Sequence, residues 1–380
     1  MIVTVVCDVL GEENNGTTIA AMNLIRHLRS RGHTVRVVCP DESRRGEKDT
    51  FVTPVYNLGI FNGYVAKNGV TPGRADKAVL SAAMEGADVV HVMTPFSLGG
   101  AAARMAHEKG IPLTAGFHCQ AENITSHVFL MNSRLVNRTV YRVLNRRLYR
   151  YCDAIHYPTR FICEVFEQVV GQTPHHVISN GVSAMWHPGP GVPPAGSEGG
   201  FRILFTGRYS REKSHRILID AAALSRHRDE LRLIFAGKGP QEEAIRRRAK
   251  RRGIAEPVMK FYSREELLDV VNSAQLYVHP AEIEIEAISC LEAISCGLTP
   301  VISDSKRSAT RFFARTPDNL FRCNDAADLA RRIDYWIEHP QEREACSKAY
   351  LGYAEQFAFD HCMERMEQML AETAGVKPGA

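Results

Sequence analysis

The chain has 380 residues, 44% hydrophobic and 24% charged, which allows two domains of ordinary globular composition and fits neither a disordered nor a fibrous class. A formal net charge of +4 is too mild to imply a nucleic-acid partner. Ten cysteines without a Cys-x-x-Cys pair argue against a zinc site or a redox pair and for buried reduced thiols.

Met1 to Asp8 has neither a basic leader nor a small-residue cleavage site, and no apolar run reaches the roughly 18 residues of a membrane span. The expectation is a cytoplasmic protein whose membrane contact is at most peripheral, on the inner face. Short β-branched runs follow in order: Ile2 to Cys7, Thr34 to Cys39, Asp88 to Val92, Pro112 to Phe117 and Ala154 to Tyr157. Between them lie helical stretches. The first starts at Gly16 and carries Ile19, Met22, Leu24, Ile25 and Leu28 at roughly helical spacing. Brief buried strands alternating with helices read as right-handed βαβ units around a parallel sheet.

Residues 187–200 are too rich in Pro and Gly for a regular element and read as a linker or a loop beside it. The pattern then restarts, with strands at Arg202 to Thr206, Leu231 to Ala236, Leu276 to His279 and Thr299 to Ile302. The expected division is a domain over 1–186, the linker region 187–200, a second domain over 201–358, and a C-terminal helix within 359–380 that packs on either domain, with a return to the first the favoured arrangement.

Three places carry chemistry. After the first strand, Gly11-Glu-Glu-Asn-Asn-Gly16 precedes a helix whose N-terminus can face an anion; a plain turn fits equally. There is no G-x-G-x-x-G, and Gly237-Lys-Gly239 lacks the third glycine of a dinucleotide fingerprint. In the second half, Gly207-Arg208-Tyr-Ser-Arg-Glu-Lys213 leaves the carboxyl end of a strand and enters a helix, which places Arg208 and Lys213 where a diphosphate would need neutralising. The plain alternative is a solvated basic loop. Directly after the strand Leu276 to His279 come Glu284 and Glu292, with seven residues between them. A helix starting near Glu286 leaves Glu284 in the preceding loop and Glu292 almost two turns in, a charge within a mostly apolar element that needs a partner. An exposed glutamate on the helix's wet edge is the alternative.

The ordered set of the Gly16 loop, Asp88-Val-Val-His-Val92, Phe117-His118, Ile178-Ser-Asn-Gly-Val182, Gly207-Arg208 with Lys213, Ala236-Gly-Lys-Gly-Pro240 and the Glu284 to Glu292 pair ending at Gly297 resembles glycosyltransferase family four, the retaining GT-B enzymes. The resemblance covers almost the whole chain. It implies two Rossmann-like parallel-sheet domains facing a central cleft, the first for the acceptor and the second for a nucleotide-sugar donor. It implies that Arg208 and Lys213 hold the donor diphosphate, that Glu292 binds the ribose hydroxyls, that Glu284 contacts the donor sugar, and that His118 lies at the sugar end of the cleft. Gly16, Gly237, Ile285, Glu286 and Ala287 complete the expected donor contacts. Two departures stand out. Ile285-Glu286-Ala287 replaces the usual Gly-Phe-Gly, so Glu286 either turns away or reads a sugar hydroxyl, and Ser214 replaces the glycine usual after the lysine. No Asp-x-Asp occurs, and no metal or cofactor is expected beyond a UDP-sugar as donor substrate.

The segment Ser133 to Cys152 contains no acidic residue before Asp153 and carries Arg134, Arg138, Arg142, Arg146 and Arg150 at four-residue intervals among Leu135, Val136, Val140, Val143, Leu144 and Leu148. That drifting stripe suits an anionic membrane surface, with Val128-Phe-Leu-Met131 able to insert more deeply; a solvated helix face is the other reading. Phe117-His-Cys-Gln-Ala-Glu-Asn-Ile124 and Glu284 to Glu292 are similar to bacterial diacylglycerol α-glucosyltransferases, which implies a lipid acceptor. A second basic run, Arg246 to Arg252, reads as an exposed helix face. The expected function is retaining transfer of a hexose, glucose first, to a lipid hydroxyl. A soluble or polysaccharide acceptor, a nucleotide-sugar epimerase on the same fold, and a non-catalytic binding module are the rivals.

Overall fold

The computed structural model describes residues 1–8, 10, 16–57, 59, 71–126 and 130–376. The chain divides into two compact units: Met1–Asn180 with Cys362–Ala380, and Gly181–His361. The division therefore falls at Asn180 and not across the Pro/Gly-rich stretch. Residues 187–200 form no helix or strand and sit inside the second unit, where Val192 N–H donates to Asp269 O at 3.2 Å. A Cβ on Gly191 would lie 2.2 Å from Ser273 N, so this loop is seated on the end of a helix and is no free tether.

In the first unit, strands β1 (Ile2–Val6), β2 (Thr34–Cys39), β3 (Thr50–Val52), β4 (Val89–Val92), β5 (Leu113–Gly116), β6 (Ala154–Tyr157) and β7 (His175–Val177) form a sheet in the order β3-β2-β1-β4-β5-β6-β7. Every pairing is parallel. The middle strands β4, β5 and β6 are buried along their whole length, as expected where helices cover both faces of a parallel sheet. Helix α1 (Gly16–Ser30) buries Leu24, Ile25 and Leu28. The chain ends this unit with the last helix, Phe359–Ala374, which from Cys362 on belongs to it. There Glu367, 6% exposed, bonds His33 Nε2 at 2.9 Å, His27 Nε2 at 3.2 Å and Arg31 Nε at 3.2 Å.

The second unit repeats the plan. Strands β8 (Phe201–Thr206), β9 (Leu231–Ala236), β10 (Val258–Lys260), β11 (Leu276–His279), β12 (Pro300–Ser303) and β13 (Leu320–Phe321) are ordered β10-β9-β8-β11-β12-β13, again all parallel. Its core runs through Phe205, Leu218, Phe235, Tyr277, Leu291, Ile302 and Trp336. Both sheets reverse their strand order once, between β1 and β4 and between β8 and β11. Ligands of open α/β sheets collect outside the carboxyl ends of the strands at such a reversal.

The four strands that the sequence pattern does not reveal are β3, β7, β10 and β13, and they are the four sheet edges. Each has only two or three residues and is at most partly buried. An edge strand needs little apolar surface, so the alternation that marks its neighbours is missing.

Candidate functional site

At the second reversal, β8 runs into Gly207, whose φ of 149° suits glycine and whose added Cβ would press on the Phe205 ring at 3.2 Å. Next door, β9 ends at Ala236, paired with Thr206, and a Cβ on Gly237 would lie 2.0 Å from Gly207 O. The two glycines thus let two strand-end loops touch, which brings Arg208 and the following turn to the sheet edge. That turn, a 3-10 helix over Arg211–Lys213, leads through Ser214 into helix α7 (His215–Leu224), the seventh α-helix of the described chain. Ser214 has φ 52° and ψ 35°, a left-handed conformation that glycine adopts without strain.

Lys213 and Glu284, brought from the ends of β8 and β11, meet: Lys213 Nζ donates to Glu284 Oε1. His279 Nε2 lies 3.2 Å from the same oxygen, and its Nδ1 lies 3.3 Å from Tyr277 OH. Tyr277 OH in turn reaches Thr206 Oγ1 at 3.1 Å and Ser289 Oγ at 3.4 Å. Burial lowers the pKa of His279 despite the neighbouring carboxylate, so the ring is neutral; it donates from Nε2 and accepts from the tyrosine at Nδ1. Burial alone would raise Glu284, but the Lys213 charge and the His279 bond outweigh it and hold the carboxyl at about 2. Glu284 is a fixed carboxylate on a relay of side chains from three elements. Tyr277 and His279 are two residues apart on one strand and share a face, a period-two signal that would have drawn them from the sequence together.

Helix α10 (Ile288–Ser295) begins two residues later than expected, because Ala287 caps it with φ 61° and ψ 67°. Glu292 is therefore just over one turn in. Ala287 thus holds a left-handed turn although it has a Cβ. Glu286 in the same segment is buried, 4% exposed. Glu292 finds the partner that its position demands in Arg264, the first residue of α9 (Arg264–Ser273), whose guanidinium lies 3.9 Å away. Burial pushes the Glu292 carboxyl up to about 7; Arg264 and the Trp186 indole offset only part of this, and Trp186 Nε1 makes no well-formed hydrogen bond.

In the first unit, His118 follows Phe117 just beyond β5, and Phe117 is fixed by stacking on Tyr149 at 4.9 Å. The His118 ring stands edge-on to His156 at 5.7 Å. Burial, with His156 and His91 nearby, depresses its pKa well below the ordinary value and keeps it neutral. His118 Nε2, His91 Nε2 and His156 Nδ1 are all buried without a hydrogen-bond partner. Gly16 is the exposed first residue of α1, whereas residues 11–15 of its loop lie outside the described residues, as do Val128 and Phe129. The basic stripe divides. Arg134, Arg138, Arg142 and Arg146 are exposed on helix α5 (Arg134–Arg147), which buries Asn137, Tyr141 and Leu144. Arg150 is not on that helix: the chain breaks at Leu148, and Arg150 sits in a separate 3-10 turn. In the run Arg246 to Arg252, Arg248 and Arg252 are not simply solvated, for both bond Asp220 on α7.

Among the described residues, Cys163, Glu167 and His175 bring possible metal-ligand atoms within 4.8 Å of one another. Glu167 Oε1 already accepts from Thr173 N at 2.9 Å, Thr173 Oγ1 at 2.8 Å and His175 Nδ1 at 2.9 Å. Burial and the Glu167 charge raise the Cys163 thiol to about 12, which opposes the thiolate a metal requires. The group is better described as a hydrogen-bonded clasp on the turn before β7.

Residues 14–185 match the family model described as Glycosyltransferase Family 4, and residues 194–350 match that of Glycosyl transferases group 1. An alpha-monoglucosyldiacylglycerol synthase of Streptococcus pneumoniae is 22% identical over 57% of this chain and 51% of its own length. A GDP-mannose-dependent alpha-mannosyltransferase of Corynebacterium glutamicum is 25% identical over 76% of this chain and 68% of its own. The chain thus spans about half the length of the first of these relatives. Among solved structures, Anabaena HepE in complex with UDP-glucose aligns with a TM-score of 0.76 at 17% identity, covering 98% of this chain and 100% of that one, a likeness of fold. With two parallel-sheet units, each matched by a glycosyltransferase model, the chain belongs to the GT-B glycosyltransferases of family four.

Proposed function

We propose that this hexosyltransferase takes glucose from UDP-glucose and passes it, with retention, to the hydroxyl of diacylglycerol or a related membrane lipid. The observation that carries this reading is the Lys213–Glu284–His279 cluster at the reversal of the second sheet, with Arg208 leaving the same strand. A cation at that edge meets the diphosphate, and a carboxylate locked in its charged form accepts hydrogen bonds from sugar hydroxyls. Glu292, one turn into α10, takes the ribose hydroxyls. Arg264 and a bound diol together supply the polar partners that its half-buried carboxyl needs.

Glu284 is already bonded to a lysine and a histidine, so it serves as a ligand and not as the nucleophile of a two-step path. The acceptor oxygen then forms its bond to the anomeric carbon on the face from which the diphosphate departs. The breaking C–O electron pair leaves with the diphosphate, and one of its oxygens takes the acceptor proton. Arg208 and Lys213 stabilise the charge that builds there, the largest contribution such a site makes. Neutral His118, in the first unit, keeps a ring nitrogen, Nε2, without a hydrogen-bond partner. No metal or cofactor enters this scheme.

The lipid acceptor is supported by the S. pneumoniae relative, named for a glucosyldiacylglycerol product, and by the outer face of α5. There four arginines surround Leu135 and Val143, 74% and 38% exposed, a mixture suited to anionic headgroups and the acyl boundary. No helix among the described residues is long and apolar enough to cross a membrane. The test is incubation of purified protein with UDP-glucose, UDP-galactose and GDP-mannose, with and without diacylglycerol vesicles, followed by mass and anomeric NMR analysis of the product. An α-glucosyl lipid is expected. A β product refutes retention, turnover of GDP-mannose alone refutes the donor, and an isomerised or hydrolysed donor without acceptor marks the epimerase instead.

A further inference from the structure

A second buried carboxylate, Glu282, lies two residues before Glu284 and takes no part in the transfer chemistry. It is 6% exposed. Its backbone N–H donates to Glu212 O at 2.8 Å, beside Lys213. Its Oε1 accepts from Ser214 Oγ at 3.4 Å, on the other side of Lys213, and lies 3.8 Å from Arg216. Its Oε2 accepts from the Arg307 guanidinium at 2.6 Å, and its carbonyl accepts from Ser305 Oγ at 2.6 Å. The segment held by those two bonds runs beside Glu284, whose N–H donates to Arg307 O at 3.4 Å and whose carbonyl accepts from Ala309 N at 2.9 Å.

Both neighbours of Lys213 and the strand-like segment alongside Glu284 therefore return to one residue, Glu282: Glu212 through its backbone N–H, and Ser214 and Arg307 through its carboxylate. We propose that Glu282 is a positioning residue which, through Ser214 on one side and Arg307 on the other, sets the separation of Lys213 and Glu284. This rests on reading those two residues as the donor site. It also accounts for the serine at 214. Glycine adopts the left-handed turn without strain, whereas a side chain there is disfavoured; the serine hydroxyl uses that turn to reach Glu282, a bond no glycine can make. The serine and the buried glutamate form a matched pair. A charge as buried as Glu282 also needs its cation, which Arg307 supplies.

The test compares Glu282→Gln, Glu282→Asp, Ser214→Gly and the double variant Glu282→Gln with Ser214→Gly. UDP affinity by calorimetry, turnover at saturating donor and thermal midpoint are measured for each. A misplaced catalytic group of this kind lowers turnover by about 10-fold or more, and Glu282→Gln is expected to do so, with Glu282→Asp recovering part of the loss. Ser214→Gly is expected to lower turnover by a few-fold while its thermal midpoint stays at or above the parent's, a split that a merely structural role would not produce. In the double variant the losses should be less than multiplicative, since both changes cut one connection. Parent-like turnover in Glu282→Gln overturns the proposal, as does a loss in every variant that only follows the thermal midpoint. If Glu282→Gln does not fold, parent-like turnover in Ser214→Gly decides against it. A parent that binds neither UDP nor GDP overturns the donor site itself, and the brace with it.

Discussion

The two sheets reverse strand order in the same way, yet the side chains at their carboxyl edges differ. The edge in the second unit is charged: Lys213 on Glu284, Arg264 near Glu292, Glu282 on Arg307. Among the described residues, the strand ends of the first unit carry three neutral histidines, His91, His118 and His156, and one acid, Asp8. Burial depresses His91 to about 3 and His156 to about 4, and it lifts Asp8, at the end of β1, to about 6 although Gly73 N and Thr94 Oγ1 donate to it. A shared fold thus leaves the ligand open, and the side chains at the strand ends decide it. The charged edge suits a diphosphate; neutral imidazoles suit hydroxyl groups, which need donors and acceptors but no countercharge.

The sharpest way to break this contrast is to remove its cations. Lys213→Ala and Arg208→Ala should each lower turnover by about 100-fold or more, since about 2.7 kcal/mol is a modest loss of leaving-group stabilisation. Near-normal turnover of either folded variant at saturating donor would show that the charged edge does not hold the diphosphate. Of similar size is the effect on membranes of reversing Arg138, Arg142 and Arg146 to Glu. At about 1 kcal/mol per basic residue near an anionic surface, vesicle affinity should fall by about 100-fold, while turnover on a short-chain soluble acceptor persists. Co-sedimentation with anionic vesicles at low and high salt measures it, and parent-like binding makes α5 a plain solvated face.

A smaller change, about 10-fold to 100-fold in turnover with little change in UDP affinity, is expected for Glu284→Gln. The amide cannot hold the Lys213 and His279 bonds as a carboxylate does. Unchanged turnover on the native sugar would remove Glu284 from the reacting end.

The smallest effect concerns stability. The Glu292 carboxyl titrates near 7 in the folded chain, above its ordinary 4.5. Between those values the folded form binds more protons than the unfolded one, so stability falls as pH rises and the loss is complete above about 7. The full separation corresponds to about 3 kcal/mol at about 1.4 kcal/mol per tenfold change, which water near the partly open side chain reduces to roughly 1 to 2 kcal/mol. Glu292→Gln is never charged, so the ligand-free variant should be the more stable protein at pH 8 and no more stable than the parent at pH 4, while binding UDP more weakly. Denaturant melts at the two pH values check the sign.

Much of this architecture is written in local pattern. The short apolar runs at Leu231–Ala236 and Leu276–His279 are almost wholly buried, the β-branched run at Thr34–Cys39 is buried from Val37 on, and none needs a distant partner to be recognised. So is the placement of Arg208, Lys213 and Glu284 at strand ends, because a strand, a turn and a helix in succession leave the turn at the sheet edge whatever the rest of the fold does. The stripe of arginines is legible as a repeat of five, but its fifth member, Arg150, lies beyond the break at Leu148, which four-residue spacing does not announce.

Tertiary structure alone decided what lies far apart in sequence. The edge strands β3, β7, β10 and β13 exist because a neighbour offers them hydrogen bonds. The late start of α10 follows from the left-handed turn at Ala287, which no glycine announces. The meeting of Lys213 with Glu284 and of Glu282 with Ser214 depends on β8 and β11 lying side by side, and that of Glu282 with Arg307 on β11 and β12 doing so. Periodicity reports which face of an element is buried; which buried charges find each other is set by strand order, and strand order is a property of the whole sheet.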